Sequence, residues 1–334
     1  MSIDFERLDT LDKRLIRELD RNCRQSFNAL SRTLKVPAET LRYRLNSLLE
    51  QKIIYSFFTV IDAGKLNCSI HKVLIKLRNV DEVKYEKIVR YLVNNGKVNW
   101  VARMDGLYDL CFTIWVSNIS ELSEFIDSLK SQFFQFLSKV TFAVNVDVEF
   151  LPREFTKGGK TRSLQLLEKE ARYTTPKVSY GIDEIDLQIM KTLSLSPRVN
   201  ATDIAKHVGI TSETVAYRIK KLEAERIITG YRLSLNPAIT YNYNYYLLVF
   251  LNSVSENKIK DFVGYCRRSV SVNYIIKALG EWDYELNIEV DSVKDFRNLM
   301  MEMTREYSEI IRDYISIPVS ELHKFTIMPQ GVNL

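Results

Sequence analysis

Apolar residues recur along this chain with two different periods, and each change of period marks a new part. Leu8, Leu11, Leu15, Ile16 and Leu19 follow helical spacing; Leu30 with Leu34, and then Leu41, Leu45 and Leu48, continue it in two further segments. The pattern predicts helices over about 8–19, 27–34 and 37–51. Lys52 to Phe57 then reads as a turn into a short strand. Beyond it the spacing predicts a strand over 71–78, a helix over 82–93, strands over 97–103 and 109–116, a helix over 120–137 and a strand over 140–150. This β-α-β-β-α-β order is the ferredoxin-like arrangement, an antiparallel sheet with helices on one face.

The whole succession then repeats. Displacing the sequence by 174 residues puts Leu11-Asp12 on Ile185-Asp186, Glu39-Thr40 on Glu213-Thr214, Tyr43-Arg44 on Tyr217-Arg218, Leu48 on Leu222 and Ile53-Ile54 on Ile227-Ile228. The same offset, without a gap, carries Gly106 and Asp109 onto Gly280 and Asp283. One offset held over about a hundred residues is the signature of duplication. The second copy predicts helices over 185–193, 201–208 and 211–225, strands over 245–251, 271–279, 284–290 and 315–327, and helices over 256–266 and 293–307.

The expected class is therefore α+β, with two winged helix-turn-helix domains and two ferredoxin-like domains in tandem. Their expected bounds are 1–62, 68–151, 181–237 and 243–330, with a basic linker over 152–180. That linker holds seven basic and three acidic residues, a Gly158-Gly159 pair, and one short helical pattern from Leu164 to Lys169. Its positive excess suits either a solvated connector or a contact with nucleic acid. The sheet faces left bare by the helices are expected to carry Trp100, Phe112, Trp115, Tyr246, Phe250 and Tyr274. Such faces call for a partner sheet, and the other copy in the same chain supplies it as a pseudo-dimer, with exchange between chains or a higher homo-oligomer as alternatives.

Two short helices joined by three or four residues, the second amphipathic with polar and basic groups outward, form the helix-turn-helix pattern. In the second copy Val215, Ile219 and Leu222 make the inward stripe and Thr211 is placed to cap the helix. A helix about 10 to 12 Å thick fits the major groove, with side chains near its N-terminus reaching bases and cations reaching phosphates. An ordinary surface helix has the same amphipathicity; the repetition of the motif favours double-stranded DNA. The candidate contacts are Arg42, Tyr43 and Arg44 in the first head, and Thr211, Ser212, Thr214, Tyr217, Arg218, Lys220 and Lys221 in the second.

The two heads are not equal. Lys35 stands where the second has the turn residue Gly209, and Pro37 stands where it has Thr211, each at a cost of roughly 1 kcal/mol. Arg42, Arg44 and Asn46 face Ala216, Arg218 and Lys220 in the comparison, so one chain is expected to read two unlike half-sites. Gly106-Leu107-Tyr108-Asp109 and Gly280-Glu281-Trp282-Asp283 fall in the hairpins between middle strands. They suit either a structural turn or a pocket whose backbone holds an α-amino or α-carboxylate group.

Composition excludes more than it adds. Net charge is only +5, so any basic face is local. Cys23, Cys68, Cys111 and Cys266 lack zinc-site or redox spacing and are expected to be reduced, structural thiols. No run of apolar residues approaches the ~18 to 20 of a membrane helix, and Met1 to Asp20 is charged where a signal peptide is apolar, so a cytoplasmic protein without membrane contact is expected. There is no Ser-His-Asp set, phosphate loop or paired-carboxylate pattern, and His71, His207 and His323 are the only histidines. No catalytic residue, metal ligand or cofactor is expected.

Together, I-D-E-I-D-L-Q-I-M from Ile182, A-T-D-I-A-K-H-V-G-I-T from Ala201, V-A-Y-R-I-K-K-L-E-A-E-R-I-I-T-G-Y from Val215 and the G-x-x-D hairpins resemble the Lrp/AsnC, or feast/famine, regulators. The resemblance covers nearly all of both halves. It implies a transcription factor whose ferredoxin-like (RAM) domains pair, with the heads hung from the paired core. It also implies an amino-acid effector near the hairpins at Gly106, Asp109, Gly280 and Asp283. Lys35, Pro37, Ser56 and Phe58 depart from the family's preferences in the first head and weaken its claim to read bases. An enzyme branch of the same architecture, the sirohaem decarboxylases, supplies a rival from another class, and an effector-binding scaffold that no longer touches DNA supplies a third.

Overall fold

The computed structural model describes residues 8–153, 161–162, 171–175, 180–236 and 243–332. The first head is built from α1 (Thr10–Arg21), α2 (Phe27–Leu34) and α3 (Ala38–Glu50). Asp9 and Ser26 cap the first two helices through their side chains, whereas Pro37 starts α3 with no side-chain cap. Leu15, Ile16, Leu19, Leu30, Leu41 and Leu45 close the small core that the helical spacing predicts. The second head repeats it as α6 (Glu184–Leu195), α7 (Ala201–Val208) and α8 (Ser212–Ala224), each with a side-chain cap, from Asp183, Asn200 and Thr211.

After each head comes one strand, β1 (Ile54–Ile61) or β7 (Ile228–Leu235). These two strands pair with each other, antiparallel, with Phe57 opposite Leu233 and Thr59 opposite Tyr231. Each copy alone contributes a single strand; the ribbon beside the recognition helices exists only because both heads are present.

The first ferredoxin-like domain comprises β2 (Ser69–Leu77), α4 (Glu82–Asn94), β3 (Val98–Met104), β4 (Leu110–Val116), α5 (Ile119–Phe133) and β5 (Leu137–Phe150). The second comprises β8 (Tyr243–Leu251), α9 (Glu256–Arg268), β9 (Val272–Gly280), β10 (Tyr284–Val290), α10 (Val293–Glu306) and β11 (Ile311–Phe325). Their strands run in the order β2-β4-β3-β11-β8-β10-β9-β5, and β5 pairs back onto β2. The result is a closed antiparallel barrel, the full form of the pseudo-dimer. Two long strands make the seams. The front of β5 pairs with β2 and its end with β9; the front of β11 pairs with β8 and its end with β3. Closure leaves no open edge between the halves.

Alternation along the strands sends one side chain in two into the barrel, where Leu74, Trp100, Tyr108, Tyr246, Trp282 and Ile317 pack. The other set lies under the helices. Phe112 belongs to that second set, contrary to its expected place on the bare face: it is even-numbered with Leu110 and Ile114 on β4 and stacks edge-on against Phe125 of α5, centroids 5.6 Å apart. Trp115 lies on the inner parity but at the strand end, packed towards the heads.

The linker is more structured than a solvated connector. Residues Ala171–Thr174 form β6, which takes up the edge of β5 where β2 ends. Arg162 is fully buried and donates to the carbonyls of Pro152, Arg267, Ser269 and Val272 at 2.7 to 2.9 Å, so its charge completes the C-terminal end of α9. Arg172 bonds to Asp147 and Glu149. The expected helix from Leu164 to Lys169 lies outside the described residues. Among those residues no helix is long and apolar enough to cross a membrane.

Candidate nucleic-acid interface

The recognition helices α3 and α8 hold their positions by an arrangement repeated in both heads. Arg44 bonds to Asp9 at 2.6 Å and lies 3.2 Å from Asp12; Arg218 bonds to Asp183 at 2.6 Å and to Asp186 at 2.9 Å. Each pair of aspartates opens the first helix of its head, so the arginine ties the recognition helix back to that helix's N-terminus. The amide of Asp12 and the Arg44 guanidinium hold the Asp9 carboxyl below its ordinary range, and the amide of Asp186 with Arg218 does the same for Asp183. Asp12 is pushed the other way, by burial first and by Asp9 second. Both arginines belong to the outward set in the sequence pattern; in the structure they are half-buried and face the aspartates. Asp9, Asp12, Asp183 and Asp186 were legible as partners, because they repeat at the same offset of 174 as the arginines.

What remains exposed is a short ridge on each helix. Tyr43 and Tyr217 stand out most, at 73% and 68% exposure, with Arg42 beside the first and Lys220 and Lys221 beside the second. An exposed phenol ring at the same turn of both helices has no packing role and offers an apolar face and a hydroxyl to a base edge. At the start of α8, Thr211 accepts from the Thr214 amide at 3.2 Å, the two hydroxyls lie 3.0 Å apart, and Ser212 donates to Glu213 at 3.1 Å. These hydroxyls therefore order the helix tip. Gly209 sits at φ 78° in the preceding turn, and Lys35 adopts the same left-handed conformation at φ 57° without glycine's freedom.

A basic notch on the first head escaped the pattern reading. Arg24, Arg42 and Arg198 surround the start of α2, with Ser26, Phe27 and Asn28, around a cavity of ≈ 390 Å³. Arg42 and Arg198 lie over the Phe27 ring, 4.5 and 4.9 Å from its centroid. Arg198 comes from the second head, and Arg24 reaches the other way to the carbonyls of Pro197 and Val199. Arg24 and Arg198 are equivalents at the 174-residue offset, so the two heads clasp each other through matching arginines. Ala201 and Ala216 replace Phe27 and Arg42 in the second head, so the arginine over a phenyl ring is not repeated there.

At the hairpins, Asp109 accepts from the Leu77 amide at 2.6 Å and from Lys76 at 2.9 Å, and Asp283 accepts from the Leu251 amide at 2.7 Å. Gly106 and Gly280 both have positive φ, and a Cβ on Gly280 would come within 2.9 Å of Ala143. These contacts are those of a structural turn. Beside Asp283, α9 and the ends of β5 and β9 enclose an open groove of ≈ 590 Å³ floored by Ile259, Val263 and Tyr284. The equivalent place in the first half is filled by Tyr85, whose hydroxyl meets His323 at 3.1 Å and whose ring lies under Arg103.

His71 is buried, with Ser69 as its hydroxyl partner at 2.9 Å, and burial pushes its pKa down to about 4. All four cysteines are buried free thiols, and among the described residues no group of side chains is arranged to hold a metal.

Residues 8–49 match the model of the AsnC-type helix-turn-helix domain, and residues 182–229 match that of the winged helix-turn-helix DNA-binding domain. The proline dehydrogenase transcriptional activator of Rhodobacter capsulatus is 30% identical over 122 residues, which cover 36% of this chain and 79% of that protein. The leucine-responsive regulatory protein of Rhizobium meliloti is 28% identical over 126 residues, 37% of this chain and 81% of that protein. Along nearly the entire chain the fold is similar to that of the siroheme decarboxylase NirDL, with TM-score 0.63, 14% identity, and coverage of 97% of this chain and 95% of the other.

Proposed function

From the premise that the chain belongs to the Lrp/AsnC family of transcription regulators, we propose that it reads an asymmetric operator with two unlike heads on one intramolecular core. It is a DNA-binding regulator; the observation that carries the finer reading is the pair of exposed ridges, Tyr43 with Arg42 and Tyr217 with Lys220 and Lys221, presented by heads joined through the β1–β7 ribbon. The ridges enter successive major grooves about one turn, ~34 Å, apart. The notch of Arg24, Arg42 and Arg198 takes a backbone phosphate beside the first head, while the hydroxyls of Thr211, Ser212 and Thr214 set the tip of the second. Arg44 and Arg218 hold the helices at the angle required. The protein works in the cytoplasm. Binding to a fragment of its own upstream region, followed by selection from a random pool, tests the reading. An imperfect palindrome with half-sites one turn apart is expected. Absence of any salt-sensitive complex at ~50 to 100 mM salt would sink it and leave the scaffold reading, because phosphate contacts dominate affinity.

An amino acid or similar effector fits the hairpin Gly280–Asp283 better than Gly106–Asp109. The first is beside an open groove carrying both charge signs, from Asp147, Glu256 and Lys277; the second is beside a filled one. Calorimetric titration with the common amino acids tests this, with at most one site per chain expected.

One observation favours the enzymatic alternative, the likeness of fold to a siroheme decarboxylase along nearly the whole chain. Fold alone carries no chemistry. Among the described residues a cavity inside the barrel measures ≈ 60 Å³, and the open groove sets the acidic Asp147, Glu149, Glu256 and Asp283 against the basic Arg172, Lys260, Arg267 and Lys277, leaving no net positive charge to hold a substrate bearing several carboxylates. A Soret band on titrating a tetrapyrrole into the protein would reverse this preference.

A further inference from the structure

Inside the barrel, where the two halves meet, the Lys72 ammonium of β2 donates to the Glu285 carboxylate of β10. Both side chains are buried, and the ammonium lies 4.3 Å from the centroid of the Tyr246 ring and 5.4 Å from that of Trp100. The 174-residue offset gives this contact a twin. Tyr246 is the equivalent of Lys72, and Cys111 is the equivalent of Glu285. Of two pseudo-symmetric positions in one barrel, therefore, one holds an ion pair and the other a phenol and a thiol, both of them buried.

The charges are divided between the halves. The first half carries Lys72 with Cys111, and the second carries Tyr246 with Glu285. Two first halves closing into a barrel would bury two ammonium groups against two thiols, with no carboxylate. Two second halves would bury two carboxylates against two phenols. An isolated buried charge forfeits far more hydration than such neighbours return, whereas removing one partner from a buried pair strands the other. Backbone ladders along the β5–β9 and β3–β11 seams do not discriminate in this way, since hydrogen bonding between strands is largely blind to side chains.

We propose that Lys72 and Glu285 form a pairing code that admits only unlike halves into one barrel. Each core then carries one head of each kind, whether the halves come from one chain or are exchanged between two. The linker raises the local concentration of the partner half, and the ion pair fixes which half that partner is. Burial favours the neutral carboxyl at Glu285 and Lys72 opposes it, so the two groups depend on each other.

The test uses full-length chains carrying two different tags. Lys72→Glu alone and Glu285→Lys alone each set like charges face to face, and a yield of folded protein lower by about tenfold is expected. Expressed together, the two single variants are expected to rescue one another as a 1:1 complex recovered through both tags. In that complex the natural pair re-forms in one barrel, and in the other the carboxylate introduced at position 72 meets the ammonium introduced at position 285. A chain carrying both changes is expected to fold alone, recover most of the natural yield and capture neither partner above the level of two natural chains. The proposal is overturned if the single variants fold as well as the natural chain. It is equally overturned if the double variant is no better than the singles, or if co-expressed singles co-purify no more than natural chains do.

Discussion

The two places where a head meets the core are equivalent by the repeat and opposite in chemistry. At the first, Asp20 at the end of α1 accepts from the Arg153 amide at 2.7 Å and lies 3.5 Å from Arg232 of β7. Arg153 in turn holds Glu289 of β10 through two bonds of 3.0 and 3.1 Å. At the second, the same four positions are Ser194, Ile327, Phe58 and Trp115. There Phe58 packs edge-on against Phe325 with centroids 5.0 Å apart, and Ser194, Ile327 and Trp115 are buried. After duplication one site kept a directional, charged fastening and its twin a non-directional apolar one. The lesson is that a repeated backbone tolerates either solution, and only complete sets of partners work: no member of the quartet is exchanged alone.

Breaking that comparison gives the largest expected effect. Asp20→Ala strands Arg232 in the interior and is expected to cost ~3 to 5 kcal/mol. Phe58→Leu keeps most of its apolar contact and is expected to cost ~1 to 1.5 kcal/mol. Chemical denaturation of both variants measures the difference, and equal losses would mean that the charged set is no more interdependent than the apolar one.

The heads extend the comparison to DNA. Lys220→Ala with Lys221→Ala is expected to lower the salt slope of binding by about 2, roughly one for each phosphate no longer neutralised. Arg218→Ala is expected to act differently, loosening α8 by about 1 kcal/mol while changing the slope little, because its guanidinium is engaged by Asp183 and Asp186. A slope change as large for Arg218 as for the lysines would return it to the phosphate.

Smaller changes sharpen the inequality of the heads. Gly209→Ala forces a side chain into a left-handed turn and is expected to cost about 1 kcal/mol, and Lys35→Gly to gain about as much. Thr211→Ala removes a cap worth about 1 kcal/mol, whereas Pro37→Ser supplies one. Hydrogen exchange of the recognition helices reads these shifts head by head.

The last comparison is one of pH. His71 lies buried where the second half has Tyr245. Its folded pKa, about 4, is below the unfolded value near 6.5, so the unfolded chain takes up a proton first as pH falls. Stability from this group is complete above about 6.5 and is lost progressively as pH drops towards 4. His71→Gln is expected to flatten that part of the stability profile, measured by denaturation at several pH values; an unchanged profile would show that His71 is not the titrating group.

Much of the molecule was legible because periodicity and repetition are local properties. Element order, the cap at Thr211 and the turn at Gly209 all follow from spacing within a few residues. That Phe112 falls on the other face is not legible, because the run from Leu110 to Val116, apolar but for Thr113, is buried on both faces and hides the alternation. Arg162 and β6 were missed since a basic, glycine-containing segment carries no periodic signal, and only distant carbonyls give it a place. The inward turn of Arg44 and Arg218 depends on aspartates 35 residues away, beyond the reach of a helical wheel though not of the repeat. The ring of strands was unreadable locally, because β5 and β11 take their second partners from the other half of the chain.

That last feature sets a timetable for synthesis. When β5 leaves the ribosome β6 soon covers one edge of its end, but the other edge has no partner until β9, about 130 residues later, has been made. At ordinary rates of elongation the gap lasts on the order of ten seconds, and the outer edge of β3, whose other side β4 covers, waits longer still for β11. During that interval the first half presents unpaired strand edges and a bare aromatic face to everything around it. A chain of this design therefore depends on the speed of its own translation, and slow codons between residues 151 and 280 are expected to lower its folded yield where the same codons after residue 325 are not.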